Sequence, residues 1–290
     1  GMVGYTQQQS AYDGFNAGSY GFLNDNLQMN NLGSGTTYTA PGSEVKKWAL
    51  NSYLARVNYT VNNKYLLTAS IRADGSSKFA DGNQWGTFPS VSGAWRISNE
   101  SFFPKDGIIS DLKLRASWGM TGNQEGIGNY DSRSLANGGH NYNGQDGIAI
   151  TTLANPDLKW ETTVTRNVGL DYTLFGGKLT GSIEYYKNTT KDLLIAFPVS
   201  GSGYDYQYRN LGKTENKGFE ISLTWNIISK KNYELSFNGN VGFNKNKVKN
   251  LGTLSQYPAS SGWASTQIQD DFIVKPGHSV GEIYGYVTAG

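Results

Sequence analysis

The residues best suited to bind a small ligand are aromatic side chains in segments rich in glycine, asparagine and aspartate. A flat ring stacks on a sugar or a peptide group, and neighbouring amide and carboxylate groups supply hydrogen bonds. The candidate ligand-binding residues of this kind are Tyr142, Tyr204, Tyr206, Tyr208, Tyr257 and Trp263. The alternative interpretation is that these rings only pack long loops against one another.

Acidic residues that alternate with apolar ones form a second candidate set. Paired carboxylates act as general acid and base when they converge at a suitable distance. The acidic residues concerned are Glu161, Asp171, Glu184 and Glu220. Nothing in their spacing brings two of them together, so we interpret them as structural polar residues and predict no catalytic residue.

Three glycine-rich motifs resemble known ligand loops only superficially. Residues 74–82 carry two aspartates but lack the closing glutamate of a calcium-binding loop. Residues 122–128 lack the order of a phosphate-binding glycine loop, and residues 200–203 have the wrong spacing for a nucleophile elbow. Because His140 and His278 stand alone in loops and cysteine is absent, we predict no metal and no cofactor.

The composition indicates strands joined by loops. The 290 residues include 37 glycines and 19 tyrosines, and only 17% are charged, against about 25% in an average protein. The net charge of +2 gives no electrostatic basis for binding nucleic acid. No apolar run reaches the length of about 18 residues that a membrane-spanning helix needs.

The elements that must position these residues are strands, because apolar residues recur with a period of two. In residues 218–227, for example, Phe219, Ile221, Leu223 and Trp225 alternate with polar or small residues. The same pattern predicts eight strands, at residues 48–61, 64–72, 88–97, 112–121, 167–174, 178–187, 218–227 and 233–244.

Strand length and connection length together favour a membrane barrel over a soluble sandwich. Most of the predicted strands are longer than the five or six residues of an average soluble strand and fit the roughly nine to eleven residues of a membrane strand. Aromatic residues recur near the strand ends, as in the girdles of outer-membrane barrels. Short and long connections also alternate, which is typical of a barrel with turns at one rim and loops at the other. The short connections are at residues 62–63, 176–177 and 229–232, and the long ones are at 73–87, 122–160, 188–215 and beyond 245. The connection at 99–111 is intermediate in length, and we assign it to the rim of the short turns.

Several long motifs resemble the SusC/RagA family of TonB-dependent outer-membrane transporters. The resemblance covers the chain from about residue 48 to its end. The motifs that carry it are KYLLTASIRADGSSKFADGNQWGTFPSVSGAWRISNESFF at 64–103, LKLRASWGMTGNQEGIGNY at 112–130, NPDLKWETTVTRNVGLDYTLFGGKLTGSIEYYKNTTKDLL at 155–194, NLGKTENKGFEISLTW at 210–225 and VGEIYGYVTAG at 280–290.

The resemblance implies an all-β fold, an antiparallel up-and-down meander that forms part of a large transmembrane β-barrel of the bacterial outer membrane. Residues 1–47 would be a variable extracellular loop region and residues 48–290 a section of the barrel. The plug, the TonB box and the last barrel strands would lie outside this sequence.

The resemblance also implies a nutrient importer for glycans, oligosaccharides or peptides that has no enzymatic activity. Its expected partners are a SusD-like surface lipoprotein, outer-membrane lipid and TonB, the last through an N-terminal part of the protein. Two alternatives stay open at this point: a soluble β-sandwich that binds carbohydrate, and a complete eight-stranded barrel.

Overall fold

The computed structural model describes residues 1–24, 26, 28–199, 201, 203–204, 206–262 and 270–285, without the side chains of residues 29, 137, 139–142 and 146. Strands dominate it, and within those residues no helix is long and apolar enough to cross a membrane. The strands are β1 Met2–Tyr20, β2 Thr37–Val61, β3 Tyr65–Ser76, β4 Trp85–Arg96, β5 Ile109–Asn123, β6 Leu135–Tyr142, β7 Gln145–Thr152, β8 Glu161–Leu174, β9 Leu179–Lys191, β10 Leu194–Pro198, β11 Tyr206–Asn210, β12 Lys213–Lys230, β13 Tyr233–Asn250, β14 Tyr257–Ala259, β15 Phe272–Val274 and β16 Glu282–Ile283.

One nine-stranded antiparallel sheet contains all eight predicted strands. Its order is β1-β2-β3-β4-β5-β8-β9-β12-β13, so each strand lies beside the next long strand in the chain. The prediction of an all-β, up-and-down antiparallel meander is therefore confirmed.

The ninth strand lies in the region expected to be a loop. Residues 2–20 pair with β2, which begins at Thr37 rather than at Trp48. The expectation of a loop over residues 1–47 is wrong for this hairpin, because its residues are largely exposed on both faces and so show no alternation of apolar and polar types. Its position outside the cell stays a prediction.

Three of the long connections contain small sheets that the alternation of apolar and polar residues did not reveal. β6 pairs with β7, β10 pairs with β11, and β14, β15 and β16 form a three-stranded sheet. The strands of the last two sheets have five residues or fewer, too few to show a clear period. These sheets give the long connections a backbone hydrogen-bonding pattern of their own.

The two faces of the main sheet differ in chemistry. One face, called here the apolar face, carries large hydrophobic side chains that remain exposed, with 64% exposure at Phe243 and 55% at Phe237. A soluble sandwich would cover such a face with a second sheet. The exposed members of this face include Val57, Leu67, Ile71, Val91, Leu114, Val168, Ile183, Tyr185, Phe219, Trp225, Phe237, Val241 and Phe243.

The opposite face, called here the polar face, carries serine, threonine, asparagine and a few charged residues. Hydroxyl pairs cross between neighbouring strands, with 2.6 Å between the Oγ atoms of Ser70 and Ser90 and 2.9 Å between those of Ser182 and Ser222. The alternative of a soluble β-sandwich is not favoured, because a single sheet with one polar and one exposed apolar face matches the wall of a barrel.

The connections sort onto two rims, as predicted. The short-connection rim carries residues 62–64, 97–108, 175–178 and 231–232. Asn62 and Asn63 both have positive φ angles, of 50° and 54°, which is the geometry of the tight hairpin turn that asparagine favours. The long-connection rim carries the described residues of the ranges 21–36, 77–84, 124–160 and 192–212. A small hydrophobic core lies among these long connections, formed by Phe79, Phe88, Ile127, Leu158, Trp160 and Leu194.

Glu100 joins two connections on the short-connection rim. Its carboxylate accepts hydrogen bonds from Lys64 Nζ and Tyr65 OH, both at 2.8 Å, and from Trp95 Nε1 at 3.0 Å. These donors, with Lys64 first, lower the pKa of Glu100 from 4.5 to about 2. The 97–108 connection is thereby attached to the turn that precedes β3.

We expect Glu100→Gln to lower the resistance of the complete protein to guanidinium at pH 7. Because the pKa is lowered on folding, the stabilisation by Glu100 is complete above about pH 4.5 and is lost as the pH falls through about 2. The difference in guanidinium resistance between the wild type and the variant should therefore shrink as the pH falls from about 4.5 to about 2. Glu234→Gln, at an exposed position near the same rim, is the control and should have little effect at any pH. Equal effects of the two substitutions would contradict the role of Glu100.

Candidate functional site

An ionic cluster on the polar face links strands β5, β8 and β9. Asp171 lies 2.7 Å from Lys113 Nζ and 3.0 Å from Arg115 Nε. The Arg115 guanidinium also donates to Glu184, whose second oxygen accepts a hydrogen bond from Asn167 Nδ2 at 2.9 Å. Two cations therefore balance two carboxylates, and the cluster holds three neighbouring strands together.

Gly169 makes this cluster possible. It lies directly between Arg115 on β5 and Glu184 on β9 in the register of the sheet. A Cβ atom at this position would lie only 2.8 Å from Arg115 Cζ. The absence of a side chain on the middle strand thus lets the guanidinium cross over it to reach the strand beyond.

The acidic candidates have structural partners. Asp171 and Glu184 belong to the ionic cluster, and Glu161 accepts hydrogen bonds from Asn123 Nδ2 at 3.0 Å and from the backbone of Leu194 at 3.2 Å. Glu220 lies on the same face, opposite Glu184. Within the described residues no group of three or more acidic or histidine side chains is arranged to hold a metal ion. The absence of a catalytic residue stays a prediction.

The glycine-rich motifs have packing roles. Asp74 in the 74–82 motif pairs with Arg72 at 2.7 Å, and Phe79 lies in the hydrophobic core. In the 122–128 motif, a Cβ atom on Gly122 would lie 2.1 Å from the ring of Phe88. His278 Nδ1 lies 3.0 Å from Glu282, whereas the side chain of His140 and residues Ser200 and Ser202 of the 200–203 motif lie outside the described part of the chain.

A depression of about 800 Å³ opens on the polar face below the long-connection rim. Hydroxyl groups line it together with two arginines, Arg56 and Arg72. Arg72 is fixed by Asp74 at 2.7 Å and by Ser52 Oγ at 3.0 Å. Apolar side chains, among them Phe88 and Trp160, also line the depression. Such a mixed lining offers both hydrogen bonds and contact surface, and it suits a ligand with hydroxyl or amide groups on a carbon framework.

Two of the predicted ligand-binding tyrosines come together on β11. The rings of Tyr206 and Tyr208 meet edge to face, with 5.5 Å between centroids. Tyr208 packs against the hydrophobic core, and burial raises the pKa of its hydroxyl group. Tyr206 is 39% exposed, so its ring is open to a ligand at the long-connection rim. On the paired strand β10, Phe197 stacks with the guanidinium of Arg209 at 4.4 Å.

The other predicted tyrosines are not brought into this pair. Tyr204 precedes β11 and is partly buried, and Tyr257 lies in the separate β14–β16 sheet, opposite Val274. The side chain of Tyr142 and the whole of Trp263 lie outside the described part of the chain. Their roles stay predictions.

Sequence reasoning missed Lys78, a buried cation beside the core. Its ammonium group lies 3.3 Å from Glu125 and 3.4 Å from the carbonyl oxygen of Ile127, and it lies 5.9 Å from the ring of Trp48. Its sequence neighbours indicated only a hairpin loop. No sequence signal could have placed the carboxylate of Glu125, which is far along the chain, beside it.

Comparison with known proteins identifies the family. The family described as "TonB dependent receptor-like, beta-barrel" matches residues 1–285. The chain belongs to this family. The predicted resemblance is thereby confirmed, and it extends over the β1–β2 hairpin, which the sequence motifs had not covered.

Curated relatives of this β-barrel family are similar over much of the chain. TonB-dependent receptor P39 of Formosa agariphila is 35% identical over the whole chain, which spans 27% of that protein. TonB-dependent receptor SusC of Bacteroides thetaiotaomicron is 38% identical over 73% of the chain, which corresponds to 22% of its own length. The chain thus spans about a quarter of the curated relatives that it matches.

Solved structures of the same family share the fold. A structure of the RagAB peptide transporter matches 95% of the chain with a TM-score of 0.80 and 30% identity, and the match covers 30% of the RagAB chain. A RagAB peptide importer in a "closed-closed" state matches with a TM-score of 0.78 and 31% identity. The family is one of receptors and transporters rather than of enzymes.

Proposed function

We propose that the chain is a section of the barrel wall of an outer-membrane nutrient importer that depends on TonB. The observation that carries this proposal is the two-faced nine-stranded sheet in a chain of the TonB-dependent receptor β-barrel family. The apolar face would contact lipid, and the polar face would line the lumen. The long-connection rim would then face the outside of the cell.

The proposed cargo is a glycan, an oligosaccharide or a peptide. The relatives named SusC and RagAB peptide transporter support this range, and so does the hydroxyl-rich depression below the loops. In this proposal a SusD-like lipoprotein covers the outer rim, and TonB acts through a part of the protein outside this sequence. The candidate ligand contacts remain the loop aromatics Tyr142, Tyr204, Tyr206, Tyr208, Tyr257 and Trp263.

Deletion of the gene tests the proposal directly. The deletion strain is grown on defined glycans and on a casein peptide digest, each as the sole nutrient, with and without the wild-type gene. We expect growth on one of these classes to fail and to be restored by the gene only in cells with intact TonB. Unchanged growth on every nutrient would contradict import of these two classes. Recovery of the protein in the soluble fraction, without heat-modifiable migration, would instead contradict the membrane location.

Tyr206 is the residue whose substitution best tests the loop aromatics. We expect Tyr206→Ala to raise by about fivefold the nutrient concentration needed for half-maximal growth, because stacking by one ring is worth about 1 kcal/mol. Tyr206→Phe keeps the ring and should retain most of the uptake. An effect of similar size from both variants would assign the role to the hydroxyl group, and no effect from either would remove Tyr206 from the site.

A further inference from the structure

A group of basic side chains borders the apolar face toward the long-connection rim. We call it the basic band; it lies on strands β8, β9, β12 and β13, at positions that share the orientation of the apolar residues. Its members are Arg166, Lys187, Lys191, Lys213, Lys217, Lys245, Lys247 and Lys249. No member of the band takes part in the ionic cluster described above.

The register of the sheet places four of these residues in one continuous row. Arg166 is directly opposite Lys187, Lys187 is opposite Lys217, and Lys217 is opposite Lys245. The next row on the same face is wholly hydrophobic and consists of Val168, Tyr185, Phe219 and Phe243. The face thus changes from aromatic and aliphatic to cationic within two residues along each strand.

Acidic partners within the protein neutralise only part of the band. Glu215 lies 3.1 Å from Lys187 Nζ and 4.0 Å from Lys249 Nζ. The ion pairs among the described residues give Arg166, Lys217 and Lys245 no such partner. Like charges directly opposite one another destabilise a sheet, so an external anion that settles among these three residues would relieve their repulsion.

The position of the basic band, at the edge of the apolar face, indicates which kind of anion would meet it. Lysine and arginine at the edge of an apolar surface bury their carbon chains and hold the charged group at the level of lipid headgroups. Clusters of such residues beside a membrane attract the charged groups of anionic lipid. We propose that the basic band binds the phosphate groups of lipid in the outer leaflet. This inference rests on the proposed membrane location but not on transport.

A single lysine at the membrane interface commonly extends its charged group toward the headgroups without binding a particular lipid. Lysines at the opposite, short-connection rim provide a comparison for the basic band. There Lys178 lies in the turn between β8 and β9, and Lys230 and Lys231 lie at the turn between β12 and β13. These three residues lie in or beside turns instead of forming a row across several strands. They therefore provide a control set of three cations at the opposite ends of the same four strands.

The test compares two triple variants of the complete receptor in neutral detergent. One is Arg166→Gln with Lys217→Gln and Lys245→Gln, and the control is Lys178→Gln with Lys230→Gln and Lys231→Gln. Binding of bis-phosphorylated lipid A, of its dephosphorylated form and of free pyrophosphate is measured by native mass spectrometry. Heat-modifiable migration verifies that each variant retains a folded barrel, and nutrient uptake is recorded separately.

We expect the wild type and the control to bind bis-phosphorylated lipid A alike, and the band variant to bind it about tenfold more weakly. Higher salt should weaken wild-type binding, since exposed charges are screened. Three results would each overturn the proposal. These are binding of dephosphorylated lipid A as tight as that of the bis-phosphorylated form, a loss of binding in the control variant as large as that in the band variant, and binding of free pyrophosphate as tight as that of the lipid. Lipid binding by a wild-type protein that gives no gene-dependent nutrient uptake would count against the transport proposal alone.

Discussion

Replacing Gly218 with alanine should destabilise the barrel by about 3 kcal/mol, near the upper end of the cost of overpacking a close-packed site. A Cβ atom at this position would lie 2.0 Å from the carbonyl oxygen of Phe243 and 2.8 Å from the hydroxyl group of Tyr186. A flexible side chain could move away, but the backbone oxygen belongs to the ladder between β12 and β13. The alanine therefore forces the strands themselves to shift.

The contact at Gly218 also positions a hydrogen bond across the sheet. Gly218 lies directly between Tyr186 on β9 and Asn244 on β13. Tyr186 OH reaches across it and donates to Asn244 Oδ1 at 3.1 Å. The substitution thus displaces Tyr186 as well as the backbone, and we expect the hydrogen bond to break.

Gly242→Ala is the matched control for this prediction. Gly242 lies on the neighbouring strand and the same face, but the nearest atom to its added Cβ is 3.7 Å away, which is an ordinary contact. Guanidinium unfolding of the complete receptor, followed by tryptophan fluorescence, should show a large loss for Gly218→Ala and little change for Gly242→Ala. Equal midpoints for the two variants would mean that the sheet adjusts freely at Gly218.

The strands were predictable where one face is apolar and the other polar. Residues 218–226 illustrate this, because their alternation survives in the structure up to the register shift that follows Asn226. The hairpin formed by residues 2–20 and β2 has no such contrast, since both of its faces are largely exposed. Periodicity carries information only where burial or lipid contact differs between the faces of a strand.

The site was predictable in its residue types but not in its contacts. Tyr206 and Tyr208 were identified because aromatic rings in a segment rich in glycine, asparagine and aspartate suggest a binding surface. Arg115, Gly169 and Glu184 are distant in sequence, and only the register of three strands brings them together. The basic band is likewise invisible along one strand, where each lysine simply lies before or after a run that contains apolar residues.

Two contacts on the polar face share one geometry that only the register reveals. Arg115 crosses Gly169 to reach Glu184, and Tyr186 crosses Gly218 to reach Asn244. In each case a long side chain joins two strands that are not neighbours, over a glycine on the strand between them. Some of the many glycines therefore make room for side chains that bond across the polar face; they do not serve to make the chain flexible.

Arg115→Ala should destabilise the barrel by about 2 kcal/mol. Removing one partner from a buried ion pair costs about 3–5 kcal/mol, and the partial exposure of this cluster reduces that figure. The side chains of Arg115, Asp171 and Glu184 are 31%, 29% and 24% exposed. Without the guanidinium, Asp171 retains Lys113 as its cationic partner, whereas Glu184 retains Asn167 as its hydrogen-bond donor and loses its ion pair.

Arg56→Ala separates this effect from the mere loss of a positive charge on the polar face. Arg56 lies on the same face, in the wall of the depression and away from the ionic cluster. Guanidinium unfolding should show a clear loss for Arg115→Ala and a smaller one for Arg56→Ala. Arg115→Lys should recover only part of the difference, because a lysine cannot form the forked contact that joins Asp171 to Glu184. Equal losses at both positions would show that the polar face responds to net charge, and that the bridge across Gly169 adds nothing to stability.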